Sequence, residues 1–321
     1  MNEQSLPTRD VSDHGSDDSV LPFSVEPLDV RGRIVRLGPA IDHILAQHAY
    51  PPAVAQLVGE AAALTVLLGS ALKQDGRFQL QTRSDGIVDL LVVDFDAPDR
   101  LRAFARFSAG RLIEADKATP AQLLGHGHLA FTVDSGADTA RYQGIVPLEG
   151  QGLEAAAHQY FQSSEQIPTL VRLAVAQNIT PAGAQWRAGG LMVQFLPSSS
   201  QRLPDLHPGD APHGTVPDDA PEADAWLEAK ALAATVADHE LVDPLLSGER
   251  LLFQLFHERG VKVFKAQGIK DACRCSTQRI ADMLRGFTAR ERHDMVGDDG
   301  KIGVTCEFCS VKRVFEPGEF E

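Results

Sequence analysis

Cys273-Arg274-Cys275 and Cys306-Glu307-Phe308-Cys309 hold all four cysteines of this 321-residue chain. Two close thiol pairs, with residues 276–305 between them, restrict what this end of the chain can become. A tetrahedral ion takes two sulfurs from each of two turns, so the chain must leave the first pair, fold a small insert and return to the second. This layout points to a four-thiolate zinc site, with Cys273, Cys275, Cys306 and Cys309 as ligands and one Zn2+ per reduced chain. The one-residue spacing of the first pair is tight for chelation and tight for a disulfide, which adds a strained redox switch to the readings. A purely structural zinc module and an iron–sulfur cluster are the other readings of the same four residues.

The insert carries its own local signals. Ser276 can cap a helix over TQRIADMLRGF, with Ile280, Met283, Leu284 and Phe287 on one face. Thr288 and Glu291 have capping-box spacing for a second helix, ARERHDMV. Asp299-Gly300 reads as a hairpin turn leading into KIGVT, and the CxxC pair forms a tight turn before VKRVF. A segment this short cannot support itself by burial alone.

Upstream, the chain divides by composition. Residues 1–25 are rich in Ser and Asp and read as a disordered acidic tail. Alternation begins at VRGRIVRLG. Two helices follow, PAIDHILAQHAY and then AVAQLVGEAAALTVLLGSALKQ, which is apolar around most of its circumference and should be buried. RFQLQTR, GIVDLLVVDF, LRAFARFS, HLAFTVD, YQGIVPL, PTLVRLAVAQ and GGLMVQFLP read as strands, with one helix, LEAAAHQYFQSSEQ, among them. Strands in runs between helices predict an α+β domain with a mostly antiparallel sheet, ending at 196. Residues 197–224 are a Pro/Asp-rich flexible stretch. Helical periodicity returns over 225–270 in DAWLEAKALAATVADHEL and GERLLFQLFHERG, broken at Asp243-Pro244. The first of these has a thin apolar face and must lean on its neighbours.

Composition narrows the function. The N-terminus lacks a basic stretch followed by an apolar one, so a soluble, cytoplasmic protein with no membrane partner is expected, with its thiols kept reduced. The net charge of −14 opposes a polyanionic partner. Residues 271–321 carry eight Lys and Arg against ten Asp and Glu, which disfavours the alternative of a zinc-ribbon nucleic-acid module. The histidines of GHGH, His126 and His128, have ligand spacing but read as a surface turn. AGGLM lacks the Lys-Ser/Thr ending of a P-loop, and no catalytic constellation can be assembled, so an enzyme is not expected.

HAYPPAVAQLVGEAAALTVLL, LQTRSDGIVDLLVVDF, YQGIVPL, YFQSSEQIPT, AGGLMVQFLP, LLFQLFHE and the CxC…CxxC ending occur in the order seen in one family. From about residue 28 to its end the chain resembles the redox-regulated holdase chaperones, the 33-kilodalton bacterial heat-shock proteins. The resemblance implies an N-terminal α/β chaperone domain (26–196), a metastable helical linker (225–270) and a zinc-binding redox-switch domain (271–321). It implies an inactive, monomeric, zinc-loaded reduced form. It further implies activation by Cys273–Cys275 and Cys306–Cys309 disulfides, with zinc loss, linker unfolding, homodimer formation and ATP-independent binding of unfolding client proteins. Ser310 and Arg313 depart from the pattern, standing where Asn or Gly and an aromatic are expected.

Overall fold

The computed structural model describes residues 17–72, 76–115, 117–134, 141–181, 183–196 and 223–320. The Pro/Asp-rich stretch through 222 and the first sixteen residues lie outside them. In chain order, β1 (Ser19–Val25) and β2 (Val30–Leu37) lead into α1 (Pro39–Ala46) and α2 (Pro52–Gly69). Then come β3 (Arg77–Ser84), β4 (Val88–Asp96), β5 (Arg100–Phe107), α3 (Ala109–Glu114), α4 (Pro120–Leu124), β6 (His126–Asp134) and β7 (Tyr142–Glu149). Helix α5 (Leu153–Tyr160) precedes the long hairpin of β8 (Thr169–Thr180) and β9 (Gly183–Phe195). Three helices follow: α6 (Asp224–Ala234), α7 (Asp238–Val242) and α8 (Gly248–Phe256). The chain ends with β10 (Lys262–Val263), β11 (Gln267–Gly268), β12 (Lys270–Asp271), α9 (Thr277–Arg285), α10 (Ala289–Asp294), β13 (Ile302–Thr305) and β14 (Lys312–Phe315).

The expected α+β class with mostly antiparallel strands is what the chain adopts. The first sheet runs β10-β1-β2-β9-β8, with β11 also on β1. The second runs β12-β5-β4-β3-β6-β7. All pairings are antiparallel except that of β12 on β5. Helix α2 lies between the sheets, and its Val54, Leu57, Val58, Leu64 and Leu67 join Leu80, Val93, Phe95, Val171 and Met192 in one core. At 18 residues it is long and apolar enough to cross a bilayer, but 78% of it is buried inside the protein. Pro52 at its start costs nothing, since the first turn has no use for that N–H.

The acidic tail is shorter than the composition suggests. Ser19–Val25 is a full strand, and the two residues before it are engaged. Asp18 accepts from the backbone N–H groups of Gly38 (2.8 Å) and Ala40 (3.0 Å) at the start of α1. Asp17 pairs with Arg187 at 2.5 Å. The first sheet is covered on both faces, so β1 shows no alternation of apolar and polar residues, and its sequence hides it.

The second cover of that sheet is α6–α8. Leu21, Phe23, Ile34, Leu191 and Val193 of the sheet meet Trp226, Ala229, Ala233, Leu241, Leu251 and Phe256. The expected single helix over DAWLEAKALAATVADHEL is two, broken at residues 235–237, so that α7 can lie flat on the strands. Two buried arginines hold it there. Arg187 Nε donates to Val242 O at 2.7 Å, and Arg36 donates to the carbonyls of Glu240 and Asp243. The glycines of AGGLM permit the approach: a Cβ on Gly189 would lie 2.2 Å from Leu241 O. Gly189→Ala is therefore expected to loosen α7 by about 1–3 kcal/mol. Faster amide exchange over residues 238–243 would show this, and unchanged protection there would refute it.

Candidate metal centre

The last module is built as its local signals suggest. Ser276 Oγ accepts from Arg279 N at 3.1 Å, capping α9. Glu291 Oε2 accepts from Thr288 N at 2.8 Å, and Thr288 Oγ1 accepts from Glu291 N at 3.3 Å, the reciprocal box of α10. The core is small: Ile280, Ala281, Leu284, Ile302 and Phe315. Met283, expected on the inner face of α9, is 50% exposed. It lies at the margin of the Ile280–Leu284–Phe287 stripe, and so small a core does not reach it. The β13–β14 hairpin closes through the CxxC turn, where Ser310 N donates to Cys306 O (2.8 Å) and Cys306 N to Val311 O (3.1 Å).

That turn and the CxC segment bring the four sulfurs together, all within 4.8 Å of one another. Two contacts run between the motifs, Cys273–Cys306 at 3.7 Å and Cys275–Cys309 at 3.3 Å. All four are free thiols, each half-buried. Zn–S bonds of about 2.3 Å in a tetrahedron put sulfurs about 3.8 Å apart, so this donor set fits a Zn2+ ion in number, chemistry and spacing. Among the described residues it is the one group of this kind. His126 and His128 stand exposed at the start of β6 and take no part.

Electrostatics separate the sulfurs. Burial raises the Cys273 thiol, but the Cys275 backbone N–H and the thiols of Cys275, Cys306 and Cys309 outweigh it and bring Cys273 down to about 7. Burial and the neighbouring sulfurs push Cys309 up to about 12. Cys275 is also raised, by burial first. Cys275 and Cys309 thus resist joining Cys273 as thiolates, and a divalent cation at the centre would offset that resistance.

The surrounding residues carry signals that the sequence conceals. Arg313 Nη1 donates to Cys275 Sγ at 3.3 Å, which gives a role to a residue standing where an aromatic is expected. Ser310 has φ 53°, a left-handed conformation that favours Asn or Gly and explains that expectation. His48, from the turn before α2, lies 3.0 Å through Nε2 from Phe308 O and 3.3 Å through Nδ1 from Ser310 Oγ. Arg102 Nη1 approaches Cys273 Sγ at 3.9 Å. Nothing in the sequence near these positions links them to the cysteines. Only the pairing of β4 and β5, which sets Asp94 opposite Arg102, and of β12 with β5 brings them into reach.

Comparison with known proteins gives a consistent result. The family model described as Hsp33 protein matches residues 18–316. A 33 kDa chaperonin of Caulobacter vibrioides is 43% identical over 307 residues, covering 94% of this chain and 96% of that protein. A 33 kDa chaperonin of Pseudomonas aeruginosa is 36% identical over 298 residues, covering 92% and 91%. The crystal structure of a 33 kDa chaperonin from Thermotoga maritima aligns with a TM-score of 0.72 at 20% identity, covering 94% and 96%. At that identity the likeness speaks for the fold.

Proposed function

The chain belongs to the Hsp33 family, and from that premise we propose that it is a thiol-gated, ATP-independent holdase of the cytoplasm that captures unfolding proteins. The observation that carries the reading is the sulfur quartet, which supplies the cross-link for a module whose own core is five residues. Zinc, when bound, keeps all four sulfurs as thiolates and ties the two turns together. A thiolate attacks hydrogen peroxide, giving a sulfenic acid and hydroxide. The second thiol of the same motif then displaces the sulfenic oxygen, which leaves as water. Each disulfide thus costs its pair two electrons, and the peroxide ends as one water and one hydroxide, which takes a proton from solvent. Cys273 joins Cys275 and Cys306 joins Cys309, after which no donor set for Zn2+ remains. The module loses its cross-link, helices α6–α8 detach, and the apolar face of the first sheet becomes available to a client and to a second copy of the chain. The reduced form is a monomer and the oxidised form a dimer. The partner is unfolding polypeptide, not nucleic acid or lipid, and no catalytic turnover is involved.

The test is aggregation of a chemically denatured protein, followed in the same sample as zinc release. Suppression only after peroxide, with one zinc freed per chain, is the expected result. Equal suppression in reductant, or none in either state, would remove the proposal. X-ray absorption on the reduced chain is expected to show a first shell of sulfur alone, at one zinc per chain. Nitrogen in that shell would count against the four-cysteine site.

A further inference from the structure

One residue from between the cysteines of each motif, Arg274 in the first and Phe308 in the second, reaches the second sheet. Arg274 donates from Nη2 to Asp94 Oδ2 at 3.1 Å, and its Nε lies 3.1 Å from Asp96 Oδ2 as an ion pair without hydrogen-bond alignment, both partners being on β4. Phe308 lies against Arg102, whose guanidinium carbon is 3.9 Å from the ring centre. Arg102 also donates twice to Asp94 Oδ2, from Nε at 2.9 Å and Nη2 at 2.5 Å. Gln79 Nε2 fills Asp94 Oδ1 at 2.7 Å. The Asp94 side chain is 1% exposed. A carboxylate at that depth persists only when its oxygens are filled by donors and its charge is matched.

The geometry points to Asp94 as the seat of the redox module and to Arg274 as the positioning residue that transmits the state of the thiols to the sheet. This deepens the function proposed above and rests on it. In the reduced chain Cys273 and Cys275 face the quartet while Arg274 faces the opposite way, as alternate residues of an extended segment do. Joining Cys273 to Cys275 draws their side chains together and bends the backbone at the residue between them. The guanidinium that spans Asp94 and Asp96 then loses its aim. Arg102 belongs to the sheet and stays with Asp94, so undocking leaves no bare carboxylate in the interior. The seat survives each cycle and can receive the module again on reduction.

Two amides report docking directly: Lys270 N donates to Asp99 O (2.6 Å) and Ala272 N to Leu101 O (3.0 Å), across the β12–β5 junction. The experiment is amide exchange on the reduced, zinc-loaded full chain, with zinc content measured in every sample. Arg274→Gln is expected to speed exchange at Lys270 and Ala272 about tenfold while zinc stays bound, the size expected for a lost hydrogen bond between charged groups. Asp94→Asn should do the same, and the double variant should add little to either single one. Should Asp94→Asn not fold, Asp96→Asn takes its place in the cycle, with the same non-additivity expected. Arg274→Lys should recover part of the protection, since an ammonium serves one carboxylate where the planar fork serves two. Unchanged exchange in zinc-loaded Arg274→Gln, or fully additive losses in the double variant, would overturn the link. These readouts need no client and no oxidant. A chain that docks as described yet never captures a client would therefore sink the holdase reading and leave the seat standing.

Discussion

Stripping zinc from the reduced protein is expected to unfold residues 271–320 and leave both large sheets intact. The module buries only Ile280, Ala281, Leu284, Ile302 and Phe315. That is too little apolar surface to offset the ordering of its backbone. The metal would contribute on the order of 10 kcal/mol or more to folding a unit of this kind. Amide exchange before and after a strong chelator under reducing conditions would show the loss: protection should vanish over α9, α10 and the β13–β14 hairpin and persist in α2, β3 and β9. Full protection of the hairpin in metal-free protein would mean that the fold does not depend on the ion, and that thiol chemistry has no lever on it.

Phe256→Ala is expected to free helices α6–α8 from the first sheet without any oxidant. Phe256 is fully buried, and its ring centre lies 5.8 Å from that of Phe23 on β1. Truncating such a residue costs about 3–5 kcal/mol. Helix α6 has only Trp226, Ala229 and Ala233 buried, so it adds little to the hold that Phe256 and its neighbours give the cover. The reduced, zinc-loaded variant should lose protection over α6–α8 and suppress aggregation of a denatured client. If protection is lost but capture still needs peroxide, detachment of the helices does not gate client binding.

The parts of the fold legible in the sequence are those governed by local rules. The caps at Ser276 and Thr288, the core position of α2 and the alternation of β3 and β7 follow from spacing alone. The sulfur quartet was legible because two short motifs can meet in few ways. What remained hidden depends on register and on cover. β1 reads as tail because both of its faces are buried and no period survives. Gly189 reads as part of an uninformative glycine pair until α7 is seen to rest on it. Met283 reads as core until the small size of the module's interior is seen. Asp94 and Arg102 meet only through strand pairing, and Arg274 reaches them across 180 residues of sequence. Each ionic partner of the thiol module in the sheet is therefore invisible to any reading by spacing.

The outer side of β1 is guarded by two very short strands. Phe23 and Ser24 pair with Val263 and Lys262, and Ser19 and Val20 pair with Gly268 and Gln267. Phe264 N adds a bond to Pro22 O at 2.9 Å. Take that segment away and β1 becomes an open edge, a row of unpaired N–H and C=O groups that any extended chain can zip onto. Natural sheets protect such edges with charges, prolines or bulges. β1 has only Pro22 and carries no charged residue. Its protection comes from residues 262–268, just upstream of the first thiol pair. The segment that joins α8 to the first thiol pair is also the safety catch against strand-to-strand aggregation.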